Sequence, residues 1–197
     1  MKKALIGAGG FARDVKALMG YQDIPCFVDS RFWTGSDRNI LPLSQFDPLE
    51  YEVLVTVANP FARALIVESL PLGTQYFTVI HPSAQLLVKP GIKIGKGCVV
   101  SANCLLVDGI SIGDHCHLNL GTILGHDVQA GDYLTTAPGV KIMGNNIIGK
   151  RVYFGTNAST KEKITIVDDV TVGLNAGVVS NLREKGVYVG TPARKIK

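Results

Sequence analysis

Aromatic side chains are scarce in this sequence, 7% of residues with a single tryptophan, and charged residues reach only 18%. So low a charge content, beside 46% hydrophobic residues, excludes a disordered chain and a coiled coil. Long apolar runs are missing as well: none approaches the roughly 20 residues of a membrane-spanning helix. The four cysteines, Cys26, Cys98, Cys104 and Cys116, form no CxxC pair and no zinc-type spacing, so they read as buried thiols in a reducing compartment. Basic residues are scattered without aromatic interleaving, which leaves no stripe for a nucleic acid. Glycine is abundant at 22 residues, but no G-X-Y period runs through it, and collagen is excluded. The opening residues 1–12 have the look of a weak signal peptide, yet Arg13 and Asp14 interrupt them and the glycines suit a strand–turn–helix. A cytoplasmic protein without a membrane segment is expected.

What is present divides into two halves. Residues 1–78 carry seven Lys/Arg against eight Asp/Glu, whereas residues 79–197 carry thirteen against eight. The basic second half suits an anionic small molecule, and equally a plain solvated surface. In that half every sixth residue from Val88 to Val178 is apolar in fourteen of sixteen cases, the exceptions being Thr136 and Thr160. A second apolar row, from Ile92 through Cys98, Cys104, Ile110 and Cys116 to Ala176, lies four residues after the first. Glycine often follows the first row, as at Gly95, Gly113, Gly125 and Gly131. A stronger beat recurs every eighteen residues, in Ile94-Gly95, Ile112-Gly113, Ala130-Gly131 and Ile148-Gly149. Helices and simple strands give no such period; three hexapeptides closing one triangular coil do. One coil cannot bury its own apolar face, so the coils must stack, here without a break in frame from residue 88 to 178.

Residues 1–78 alternate strand and helix. Apolar strands are expected at residues 3–7, 25–28 and 52–57, with helices at 12–19 and 61–69. A G-x-G-x-x-A turn, GAGGFA at residues 7–12, follows the first strand, and Asp29 ends the second. This βαβ order implies a small parallel sheet of about three strands, with a nucleotide at its C-terminal edge. Helix N-terminal amides there suit a phosphate, and Asp29 a ribose hydroxyl.

A Rossmann-like half with GAGGFARDV (residues 7–15), a linking IHPSA (80–84), hexapeptide coils and a closing VGTPAR (189–194) together resemble one family over the whole chain. It is that of the left-handed β-helix sugar acetyltransferases: nucleotide-sugar N-acetyltransferases of the bacillosamine type and their sialic acid O-acetyltransferase relatives. The resemblance implies a Rossmann-like nucleotide-sugar domain (1–78) followed by a left-handed parallel β-helix (79–197), a rare exception to right-handed crossovers. It also implies a homotrimer, with acetyl-CoA between the coils of neighbouring subunits and no metal. The activity it implies is transfer of acetyl to the amino group of a nucleotide-linked amino sugar, such as a UDP-4-amino-4,6-dideoxy sugar, for bacterial surface glycan or glycoprotein synthesis. The family's catalytic His–acid pair stands here as His126 and Asp127, with Asp where Glu is frequent. Acyl-CoA contacts carry over to Thr135, Gly144, Thr156 and Leu174, Thr135 replacing a histidine. Nucleotide contacts fall on Gly9, Gly10, Phe11, Asp29, Ser30 and Ala58, with Phe11 also replacing a histidine of some members. His126 then acts as general base, and the Gly144 N–H is the candidate oxyanion donor.

Other readings stay open at this point. The acceptor can be a sugar hydroxyl, as in sialic acid O-acetylation. The G-x-G-x-x-A turn with Asp29 also fits NAD, although three strands are few for a dinucleotide fold. His115 and His117 near His126 raise a metal-dependent β-helix enzyme, for which three ligands must converge. A trimeric β-helix can also serve as a scaffold. His81 reads as a junction residue and Asn119 as a turn residue.

Overall fold

The computed structural model describes residues 1–20 and 22–197. The first part is a five-stranded parallel sheet. Its strands are β1 (Lys2–Ile6), β2 (Cys26–Val28), β3 (Ile40–Pro42), β4 (Tyr51–Val55) and β5 (Gln75–Tyr76), in the order β3-β2-β1-β4-β5. Helix α1 (Gly10–Met19) follows β1 and α2 (Pro60–Ser69) follows β4. The sheet is wider than the three strands expected. Its two extra members are edge strands of two or three residues, too short to show a period, and Pro42 is tolerated at such an edge.

Alternation across the central strands builds two apolar faces. Leu5, Leu54 and Cys26 pack with Ala12 and Val15 of α1, and with Phe77, Val79 and Val99 where the coils begin. Ala4, Ile6, Phe27, Val53 and Val55 form the opposite face. Helix α2 starts cleanly: Asn59 Oδ1 accepts from Ala62 N at 3.0 Å and Pro60 occupies the first turn, where its missing N–H costs nothing.

From Val79 the chain winds as a left-handed parallel β-helix with three faces. The first face stacks Val79–Ile80, Val99–Val100, His117–Leu118, Thr135–Thr136, Tyr153–Phe154, Val170–Val172 and Gly186–Val189. The second runs from Gln85–Leu86 through Ile123–Leu124 to Gly177–Val178, and the third from Lys93–Ile94 to Thr165–Ile166. Strands pair in parallel with the strand eighteen residues on, as in His117↔Thr135 and Ser111↔Gln129. The two apolar rows fill the interior, where Leu106, Leu118, Leu124, Leu134, Val140, Val152 and Phe154 are fully buried. Cys98, Cys104 and Cys116 lie there as free, buried thiols, as their row requires.

Val88 does not belong to the interior row. It is 44% exposed beside a short 3-10 turn, Lys89–Gly91, and the first pairings step by twenty residues, Ile80↔Val100 and Leu86↔Leu106. Two extra residues are taken up in that turn, so the eighteen-residue frame begins only with Lys93–Ile94. The two threonines of the first row are satisfied by the two polar members of the second. Thr136 Oγ1 meets Thr122 Oγ1 at 2.7 Å, and Asn146 Nδ2 donates to Thr160 Oγ1, Met143 O and Lys161 O. A fully paired polar group inside the coil avoids the cost of burial without a partner.

Candidate active site

The order of the sheet reverses between β1 and β4, and a crevice opens beyond the carboxyl ends of those two strands, the place where open α/β sheets hold ligands. It encloses about 620 Å³ and is lined by Gly9, Gly10, Phe11, Asp29 and Ala58 among others. Five of the six residues carried over as nucleotide contacts thus share one cavity. Ser30 lies in an adjoining shallower hollow, together with Asp29. Gly7 holds a positive φ of 107°, and a Cβ there would stand 3.2 Å from Thr56 Oγ1, so only glycine turns the chain comfortably at this point. The Asp29 carboxylate accepts from Arg31 N and Nε at 2.9 Å and from Nη2 at 3.2 Å. This partner holds its carboxyl below the usual range, so an anion is fixed at the mouth. Phe32, 71% exposed, also lines the crevice. No motif marks it, and its only sequence signal is an aromatic residue just after the acid that ends a strand.

The second constellation sits on the corner between the second and third faces. His126 Nδ1 lies 2.8 Å from Asp127 Oδ2, with Asn145 Nδ2 3.4 Å from the same nitrogen. Both side chains of the pair are about 60% exposed. Nδ1–H donating to the carboxylate is the tautomer that leaves Nε2 with a free lone pair. The shorter aspartate therefore reaches the imidazole directly. Both members rest on glycines of neighbouring coils. A Cβ on Gly144 would come 2.6 Å from His126 Nε2, and one on Gly109 would come against Asp127 Oδ1. The Gly144 N–H donates to no acceptor among the described residues. Gly109 and Asn145 were not singled out from the sequence, because their part depends on stacking between coils.

Thr156 and Leu174 occupy the corner between the first and second faces, and Leu174 is 70% exposed. Leu120, 49% exposed, stands at the same corner in an earlier coil. The His126 corner and the Thr156 corner bound the same face of the prism. Thr135 is placed elsewhere. It is 4% exposed, on the first face, beneath the nucleotide-type crevice, and its Oγ1 donates to Ala58 O at 3.0 Å and accepts from Arg63 Nη2 at 2.8 Å. Within this chain the first half covers this face and uses the hydroxyl, so Thr135 stands apart from the corners that carry Gly144, Thr156 and Leu174.

His115 and His117 are likewise buried against the first half, 2% and 1% exposed, apart from the exposed His126. His115 stacks on Tyr133 with centroids 5.4 Å apart, and burial pushes its imidazole down to about 4. His117 lies under Phe11 with centroids 4.7 Å apart, and burial next to the Arg63 cation holds it neutral. Among the described residues, no three His, Cys, Asp or Glu side chains group into a metal-binding set. His81 is half-buried and pairs with Ser83 Oγ at 2.8 Å, and Asn119 Oδ1 accepts from Leu120 N at 2.8 Å within its turn.

No protein-family model matches the chain. Among solved structures, it is similar to the acetyltransferase domain of PglB from Neisseria gonorrhoeae in complex with acetyl coenzyme A, at 28% identity, TM-score 0.87, covering 99% of this chain and 98% of that one. It is similar to WeeI from Acinetobacter baumannii at 26% identity and TM-score 0.84, covering 100% of each chain. PerB from Caulobacter crescentus, in complex with CoA and GDP-perosamine, shares the fold at 23% identity and TM-score 0.86, over 100% of this chain and 98% of that one. The whole-length resemblance read from GAGGFARDV, the hexapeptide coils and VGTPAR is borne out: the chain has the two-part architecture of the left-handed β-helix sugar acetyltransferases.

Proposed function

We propose that the protein is an acetyl-CoA-dependent N-acetyltransferase of a nucleotide-linked amino sugar. One observation carries the reading: a histidine oriented by a carboxylate at 2.8 Å, with its other nitrogen bare, over a glycine whose N–H is free. In such a site His126 Nε2 accepts the proton as the sugar amine attacks the thioester carbonyl carbon, and Asp127 stabilises the imidazolium formed. The C–N bond forms, the C–S bond breaks and the sulfur leaves as the thiolate of CoA. The Gly144 N–H, which has no acceptor among the described residues, is the donor that would stabilise the oxyanion on the carbonyl oxygen. General base action of this kind is worth on the order of 10²–10⁴-fold.

Residues 1–78 then hold the nucleotide, in the crevice of Gly9, Gly10, Phe11, Asp29 and Ala58, while residues 79–197 hold acetyl-CoA. Gly144 stands on the His126 corner, whereas Thr156 and Leu174 stand on the other corner of the same face. A long pantetheine arm touching both types of corner is best accommodated between two copies, which supports a homotrimer with composite sites. Absence of a long apolar helix among the described residues accords with a cytoplasmic enzyme. The test is a thermal-shift panel of UDP-, dTDP-, GDP- and CMP-linked amino sugars, NAD and acetyl-CoA, followed by mass detection of acetylated product. A nucleotide sugar and acetyl-CoA should each raise Tm, and the product should carry acetyl on nitrogen. Stabilisation by NAD alone, or an ester product, overturns the assignment. Sedimentation showing a fully active monomer overturns the composite site.

A further inference from the structure

The two walls of the crevice do not stand on the sheet alone. One wall is Phe11, whose ring rests on His117, tilted by 34° at a centroid distance of 4.7 Å. The other is Ala58, whose carbonyl accepts from Thr135 Oγ1 at 3.0 Å and from Arg63 Nη1 at 3.1 Å. His117 and Thr135 are register partners on consecutive coils. The walls are therefore seated on adjacent rungs of one ladder, whose spacing of about 4.8 Å is fixed by the backbone hydrogen bonds between strands.

Arg63 locks this seating. It is fully buried, and donates from Nε to His115 O at 2.8 Å, from Nη2 to Tyr133 O at 2.9 Å and from Nη1 to Val57 O at 2.7 Å. Its hydrogen bonds run to backbone carbonyls and the Thr135 hydroxyl, with no carboxylate among them, an arrangement that ties the loop after β4 to two coils at once. The Thr135 hydroxyl is the joint, accepting from Arg63 and donating to Ala58. Neither nitrogen of His117 has a partner among the described residues, so that ring serves as a flat support for Phe11.

We infer that the β-helix sets the width of the nucleotide crevice through Thr135 and His117, which makes them positioning residues for the nucleotide-linked substrate. The inference rests on the reading that the first half binds the nucleotide. Thr135→Val is the decisive variant, because it keeps the shape of the side chain and removes only the joint. Calorimetric titration with UDP, dTDP, GDP and CMP, and separately with acetyl-CoA, reads the outcome beside Tm. The affinity for the nucleotide that wild type binds should fall roughly tenfold, about what one lost hydrogen bond is worth, with acetyl-CoA affinity unchanged. Thr135→Ser should restore it. A purely structural role would lower Tm without separating the two ligands. If Thr135→Val binds nucleotide like wild type, or loses acetyl-CoA affinity instead, the inference falls and the nucleotide reading stands. If wild type binds none of the four nucleotides, the nucleotide reading itself fails and the inference with it.

Discussion

Replacing Gly144 by alanine tests whether His126 must sit where it does. The backbone of Gly144 is not in the left-handed region, so a side chain is admissible there and the single obstacle is the imidazole. The added Cβ would lie 2.6 Å from His126 Nε2, 2.8 Å from Cε1 and 3.0 Å from Cδ2. Carbon and nitrogen settle at about 3.5 Å, so the ring has to retreat by about 1 Å, most of it at Nε2, the nitrogen proposed to take the proton. His126 is exposed, and the retreat breaks little else; stability should change by less than about 1 kcal/mol. A misplacement of about 1 Å in a reacting group costs on the order of 10²-fold in rate. Turnover, followed as CoA thiol released in the presence of the amino-sugar nucleotide, should drop by that factor while Tm holds. A Gly144→Ala enzyme with kcat within about threefold of wild type would show that Nε2 is not the base, or that its seat over Gly144 is immaterial.

Removing the proposed base, by His126→Ala, should lower kcat roughly 10²–10⁴-fold with the KM of both substrates nearly unchanged, and steady-state kinetics decide it. Asp127→Asn keeps the shape and removes the charge, so its loss of kcat should be smaller than that of His126→Ala in the same assay. Gly125→Ala should act on the fold instead, since its Cβ would meet Gly144 N at 2.6 Å and Met143 C at 2.9 Å; forcing the coils apart should cost about 1–3 kcal/mol, read as a lower denaturant midpoint. The buried His115 is held down to about 4 from 6.5, chiefly by burial, with Arg63 and Lys96 assisting and Asp114 opposing. Its native state thus binds its proton later than the unfolded chain. That makes stability present above about pH 6.5 and lost as pH falls toward 4, by about 3 kcal/mol. His115→Gln should flatten that limb of the stability–pH curve, and an unchanged slope would refute the assignment.

The β-helix was legible in the sequence because stacking repeats its demands every coil. Leu106, Leu124 and Ile142 answer the same interior need at intervals of eighteen, and no local propensity has to be guessed. The corners were less legible. His115, Tyr133 and Arg151 all take left-handed backbone angles, φ 57°, 64° and 55°, which are unusual for such side chains and follow from the coil closure rather than from residue type. Val88 was misplaced because its neighbourhood contains two residues more than the repeat, and the period alone cannot say whether they lie before or after the first strand. The edge strands Ile40–Pro42 and Gln75–Tyr76 escaped because two or three residues cannot display alternation.

For the site, what could be read was what is contiguous along the chain. His126 and Asp127 are neighbours on one turn, and Gly9, Gly10 and Phe11 share one loop, so their geometry is nearly implied by their order. Thr135 shows where contiguity stops helping. Its repeat position places it on a strand of the coil, but the repeat says nothing about which face is covered by another part of the chain. Arg63 gave no signal, since an arginine on a short helix ordinarily reads as solvated; here the same residue is fully buried and joins α2 to two coils. These two residues mark where the halves meet, and the meeting defines a second ruler for the enzyme. Coil stacking fixes His126 over Gly144, whereas the junction fixes Ala58 and Phe11 over Thr135 and His117. Both rulers are rungs of the same β-helix, but they stand on different sides of it, the junction on the first face and His126 on the opposite corner. A substitution at the junction should then alter nucleotide affinity without touching the proton-transfer geometry, and one at Gly144 should do the reverse.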